Sequence, residues 1–322
     1  MTATTASAGK TASRNARKNE VRGDRVPVMK ASQSHYVPIR GLAYHVRAWG
    51  DPRARKLFLL HGWMDVSASF QFLVDALAGD WHVLAPDWRG FGLSETPNDG
   101  YWFPDYVADL DALVHVLAPG EAIDIAGHSL GANVAMLYAG ARPSGVAHVA
   151  ALDGFGVPTE SPARAPKKIV GWLDAVRDTP SFAPYRDLAA VADRLQKTNP
   201  RLARAKAEFL APHWAETLPD GTARLRADPK HKLPFPITTR MDDVYAVWRE
   251  ITAPVLWIAA ADSNIPRWLA ADGDPAAELA RRFSHIPQGQ LVTVADAGHM
   301  LHHDQPEAVA RLLEAFLGAK PR

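Results

Sequence analysis

Cysteine is missing from this 322-residue chain. Its absence excludes disulfides, a thiolate nucleophile and cysteine-ligated zinc. Long apolar runs are missing too. Nothing approaches the roughly 18 residues needed to cross a bilayer, and the longest stretches, such as Val255 to Ala261, have the length of a strand. The start of the chain lacks the apolar core of a secretory signal, so the cytoplasm is the expected compartment. Charge of one sign is scarce overall, with 36 basic and 35 acidic residues giving +1. That balance hides an asymmetry. Residues 1–34 carry seven basic side chains against Glu20 and Asp24, and the remainder is net acidic by four. The body is therefore no nucleic-acid-binding surface. The basic, Ser/Thr/Ala-rich tail is open to three readings: a disordered extension, a transit peptide or a tether to an anionic surface. Disorder is the expected state, because the tail shows no amphipathic period.

What is present is ordinary globular composition, 47% hydrophobic and 22% charged, enough for one large domain and a smaller one. From His35 onward, strand-like runs alternate with helical ones. Residues 35–39 and 42–49 read as two strands joined at Gly41. Short apolar runs follow at 56–60, 82–85, 123–126 and 149–152, and again at 253–260 and 291–296. Such runs suit a parallel sheet covered on both faces. Val107, Leu110, Val114 and Leu117 share one helical face, as do Val309, Leu312, Leu313 and Phe316 after Pro306. The pattern is that of an α/β fold with a mainly parallel sheet and helices on both faces. Residues 157–248 break the rhythm, with eleven prolines, no clear strand and helical stretches at 166–177, 186–197, 201–210 and 241–249. They read as a helical cap inserted into a core formed by 35–156 and 249–322.

The chemistry centres on Gly127-His128-Ser129-Leu130-Gly131, placed between an apolar strand and a helix-prone run. A serine on such a tight strand-to-helix turn projects its hydroxyl above the sheet. A hydroxyl needs a base, and His299, in the loop after the strand 291–296, is the candidate. The imidazole in turn needs an acid to fix its tautomer. Asp262, at the end of strand 253–260, is expected in that role, giving the chain order Ser, Asp, His; Asp153, at the end of strand 149–152, is the rival. The oxyanion is expected to meet the backbone N–H groups of Leu130 and of Trp63, in the turn His61-Gly62-Trp63. The Trp63 ring either walls the acyl pocket or packs in the core. His302 and His303 extend a metal-like cluster with His299, but no other ligand grouping accompanies them. They are assigned to the start of the last helix, and no metal or cofactor is expected.

His61-Gly62-Trp63, the run from Asp87 to Ser94, the turn at 127–131 and Gly298-His299 together resemble the α/β-hydrolase superfamily, across nearly all of residues 35–318. Leu152-Asp153-Gly154-Phe155-Gly156 and the helical insertion resemble its serine hydrolase-like branch, and the HGW turn is similar to that of cofactor-free perhydrolases. Serine at 129 separates the chain from haloalkane dehalogenases and epoxide hydrolases, which use aspartate there. The resemblance implies an eight-stranded sheet, a cap after the sixth strand, and hydrolysis through an acyl-enzyme with His299 as proton carrier. The expected function is cleavage of a carboxylic ester of small or medium acyl size by a monomer or homodimer. An apolar pocket is expected from aromatic residues of the insertion, among them Trp172, Phe209, Trp214 and Trp248. The same side chains would also serve a carbon–carbon bond hydrolase, lactonase, amidase or perhydrolase, and a binder that retained the fold is the non-catalytic alternative.

Overall fold

The computed structural model describes residues 29–318. Its strands are β1 (Ser32–Ile39), β2 (Leu42–Trp49), β3 (Arg55–Leu60), β4 (Trp81–Pro86), β5 (Ile123–His128), β6 (Val146–Leu152), β7 (Ala215–Thr217), β8 (Ala223–Leu225), β9 (Val255–Ala260) and β10 (Gly289–Val294). Eight of them form one sheet in the order β1-β2-β4-β3-β5-β6-β9-β10, antiparallel at β1/β2 and β2/β4 and parallel elsewhere.

Alternation within the central strands explains why they are apolar throughout. Phe58 and Leu60 of β3 pack with Leu110, Leu113 and Val134 from the helices Phe103–Leu117 and Leu130–Ala141. Leu57 and Leu59 point the other way, to Phe70, Leu73, Val309 and Leu313 from the 3-10 turn Ser67–Phe70 and the helices Gln71–Ala76 and Pro306–Leu317. Both faces are thus covered by helices, and truncating one such leucine to alanine costs about 2–5 kcal/mol. This burial holds the strand ends rigid, and the chemistry sits on those ends.

The sheet begins earlier than the pattern at His35 implies. Lys30 donates its backbone N–H to Asp75 Oδ1 at 2.7 Å and its Nζ to the carbonyls of Val74 and Leu77, and β1 starts at Ser32. Residues 30–34 therefore belong to the fold, and the expected disorder of residues 1–28 lies outside the described residues.

Between β6 and β9 lie the helices Ala165–Arg177, Leu188–Thr198, Arg204–Trp214 and Met241–Arg249. Val191, Leu195, Leu202 and Leu210 form a small core of their own there, while Tyr245 and Trp248 of the last helix join the main core. The stretch also contains a hairpin, β7–β8, where the sequence showed no clear strand. Three-residue strands are too short to carry a period. The turn is written in Pro219-Asp220-Gly221: Gly221 N–H donates to Leu218 O at 2.9 Å, and Gly221 takes φ +85°, the left-handed conformation glycine adopts freely.

Candidate active site

Ser129 follows β5 and precedes the helix Leu130–Ala141, with φ 51° and ψ −112°. Backbone at positive φ is costly for a residue with a side chain. It is imposed here by an abrupt change of direction that brings strand and helix almost into contact. A Cβ on Gly127 would lie 2.3 Å from the Gly131 carbonyl carbon, and one on Gly131 would lie 2.1 Å from Leu60 O. Both positions accept only glycine at that spacing. Ser129 N–H donates to Leu152 O at 3.0 Å, which ties the turn to the end of β6.

His299 Nε2 stands 3.0 Å from Ser129 Oγ, although 170 residues separate them. Its Nδ1 stands 2.7 Å from Asp153 Oδ2. Asp153, at φ 46° after β6, is fully buried, whereas the His299 side chain is 36% exposed. Asp153 is held in turn: its Oδ2 accepts from Ser263 Oγ, and its Oδ1 accepts from the Ala260 N–H at 3.3 Å. A carboxylate that accepts N–H and O–H bonds is oriented before any substrate arrives.

The partner of the imidazole is thus Asp153 and not Asp262. Asp262 Oδ2 accepts from Arg201 Nη2 at 2.8 Å, and that carboxylate is half exposed. The physical reason is strand length. β9 ends at Ala260, and Asp262 lies two residues beyond it, aimed at the cap; Asp153 immediately follows the last residue of β6. Ser263, which no sequence pattern singles out, supplies the supporting hydroxyl.

Trp63 follows β3, and its ring is 53% exposed, which excludes core packing for it. Gly62 lies against the serine turn, where a Cβ would come 3.2 Å from Ser129 Cβ and 2.9 Å from His128 Nδ1. Leu130 is the first residue of its helix, so its N–H has no acceptor within that helix.

His61 braces this floor from below. Its Nδ1–H donates to Gly62 O at 2.8 Å, its Nε2 accepts from Trp88 N–H, and burial pushes its pKa down to about 4. Trp88 belongs to the run Asp87–Ser94, which Asp87 organises by accepting from the N–H groups of Ser67 and Leu93 and pairing with His45. His302 and His303 lie in the short helix Leu301–Asp304, ahead of the last helix rather than at its start.

A cavity of about 260 Å³ opens between cap and core, lined by Trp102, Trp172, Val176 and Phe235 among others, and none of Ser129, Asp153 or His299 lines it. Phe209 and Trp214 pack within the cap's own core. Among the described residues, no helix is long and apolar enough to cross a membrane.

The sequence profile of the alpha/beta hydrolase family matches residues 57–312. The serine hydrolase-like protein of Danio rerio is 29% identical over 297 residues, which cover 89% of each chain. The 2-(acetamidomethylene)succinate hydrolase of Mesorhizobium japonicum is 30% identical over 288 residues, 89% of this chain and 95% of its own. Among solved structures, the thioesterase domain from the curacin biosynthetic pathway superposes with a TM-score of 0.76 at 22% identity, over 88% of this chain and 99% of that one. At that identity the likeness is one of fold.

Proposed function

The chain belongs to the alpha/beta hydrolase family, whose profile spans most of it, and from that premise we propose that it cleaves carboxylic esters with Ser129 as nucleophile, His299 as base and Asp153 as the orienting acid. The observation that carries this reading is the continuous relay from Ser129 Oγ through His299 to Asp153, at 3.0 and 2.7 Å.

In the first step Ser129 Oγ attacks the acyl carbon while His299 Nε2 takes the hydroxyl proton. The backbone N–H groups of Trp63 and Leu130 are assigned to the oxyanion, each contributing about 2.7–4 kcal/mol. The ester C–O bond then breaks, and the departing alkoxide takes the proton from His299. Water attacks the acyl-enzyme as His299 accepts its proton. The serine oxygen leaves, recovers that proton, and the acid is released. The buried Asp153 charge stabilises the imidazolium in both halves. The side chains assigned to these steps come from the ends of β5, β6 and β10, so the insertion is left to shape what enters.

A panel of p-nitrophenyl esters, together with labelling by a fluorophosphonate probe, tests the proposal. Wild type is expected to turn over short or medium acyl esters and to gain one adduct, and Ser129→Ala is expected to do neither. An adduct that persists in Ser129→Ala, or an unlabelled wild type, overturns it. A second reading, in which the same three side chains cleave a bond other than an ester, draws on the name of the Mesorhizobium relative. It predicts labelling of Ser129 with no turnover across the ester panel.

A further inference from the structure

Directly behind the serine turn lies a group of polar side chains that the reaction does not use. Asp65, His128 and His302 are all buried, and each offers one ligand atom, with these atoms within 4.8 Å of one another. Their hydrogen-bond accounts do not close. His128 Nε2 lies 2.7 Å from the carbonyl oxygen of His299, so it carries the proton and donates it. The lone pair of His128 Nδ1, beside Gly62, then has no hydrogen-bond partner among the described residues.

Asp65 Oδ1 accepts from Val66 N–H at 2.9 Å, but Oδ2 has no such partner. His302 Nδ1 is likewise unpartnered, while its Nε2 lies 3.2 Å from Ser69 Oγ and 4.0 Å from Asp65 Oδ2. The His128 and His302 rings are 4.5 Å apart. Buried polar atoms without partners are costly, and folded chains rarely leave several of them together.

We propose that Asp65, His128 and His302 form a binding site for a divalent cation of the zinc class, seated behind the catalytic serine. Two imidazoles and one carboxylate suit a borderline metal, whereas magnesium and calcium take sites made of oxygen. Ligands at about 2.0–2.2 Å from zinc stand about 3.3 Å from each other. The side chains must therefore draw together, by up to about 1.5 Å for the widest pair. Coordination at His128 Nδ1 fixes that ring, and through its Nε2–H bond it fixes the backbone of His299. The site is thereby coupled to the base without taking part in the reaction, and it departs from the metal-free expectation raised by the isolated run His299-Met300-Leu301-His302-His303.

The test uses full-length protein produced in zinc-supplemented cells, with metal content read by inductively coupled plasma mass spectrometry. Wild type is expected to hold about one zinc per chain, and Asp65→Asn with His302→Gln at least about tenfold less. Far-ultraviolet circular dichroism and a cooperative thermal transition report that the variant folds whether or not Ser129 is labelled, which keeps the outcome separate from that of the hydrolase proposal. Should the variant fail to fold, anomalous scattering at the zinc edge from wild-type crystals decides. A peak between the three side chains supports the site. Zinc at or below the level of the variant, zinc bound only elsewhere, or an ordered water in that position overturns it.

Discussion

Asp153 and Asp262 leave the ends of adjacent strands, and what separates them is the side of the sheet edge to which each is delivered. Asp153 is buried, receives Ser263 and the Ala260 N–H, and reaches His299 at 2.7 Å. Asp262 faces outward to Arg201. Asp153→Asn is expected to lower kcat by about 10⁴, because the amide favours the wrong imidazole tautomer. Asp262→Asn is expected to change it by less than about threefold, since an exposed ion pair is worth at most about 1 kcal/mol. Steady-state turnover of an ester by the two variants distinguishes them, and the reverse ranking would restore Asp262. The meeting of Ser129 and His299 at 3.0 Å could be anticipated from sequence because each sits in a short motif whose flanking glycines dictate the backbone. The acid is not legible to the same degree. Any aspartate after a parallel strand satisfies the pattern, and only the tertiary path tells which carboxylate turns inward.

Elements, rather than single residues, hold the site in place. The run Asp87–Ser94 is fastened to the helix Phe103–Leu117 by Arg89, whose Nε and Nη2 donate to the two oxygens of Asp109 at 2.6 Å each. Tyr44 also donates to that carboxylate from β2, and Arg40 does so from the turn before it. Asp109 is fully buried, so removing its charge leaves Arg89 with only the longer pair to Asp105 at 3.4 Å. Asp109→Asn is expected to cost about 3–5 kcal/mol, lowering the unfolding midpoint by about 10 °C in differential scanning calorimetry. A change of a degree or two would show that the pair is solvated. Sequence reading recovers the long helices and central strands of this framework, because burial on one or both faces writes a period into them. It misses the hairpin β7–β8 and the helices Ile265–Ala270 and Pro275–Phe283. These are short, lie at the periphery, and are specified by turns and caps such as Asp274 rather than by an apolar stripe.

At the scale of the molecule, buried imidazoles set the response to acid. Burial holds His61 and His213 at about 4 and His231 at about 3, against the ordinary value of 6.5. Below 6.5 the unfolded chain binds protons that the folded one refuses, so stability falls as pH falls, by up to about 1.4 kcal/mol per pH unit for each ring. The unfolding midpoint is therefore expected to be lower at pH 5 than at pH 7, and an unchanged or higher value would contradict the burial of these rings.

Truncation reads the other end of the fold. Removing residues 1–28 is expected to leave ester turnover unchanged. Removing 1–34 takes away the contacts of Lys30 and the first residues of β1, and should lower the midpoint by several degrees. Equal midpoints for the two truncations would place the start of the fold at His35.

The reacting side chains proposed here all issue from the sheet, whereas residues 157–248 build their own small nucleus between β6 and β9. On the proposed mechanism, reactivity is assigned to the sheet ends and selectivity to the insertion. On that assignment, changes within the small nucleus around Val191, Leu195 and Leu210 would alter which molecules are admitted and leave the cutting edge itself unchanged, much as a tool accepts a different guard over the same blade.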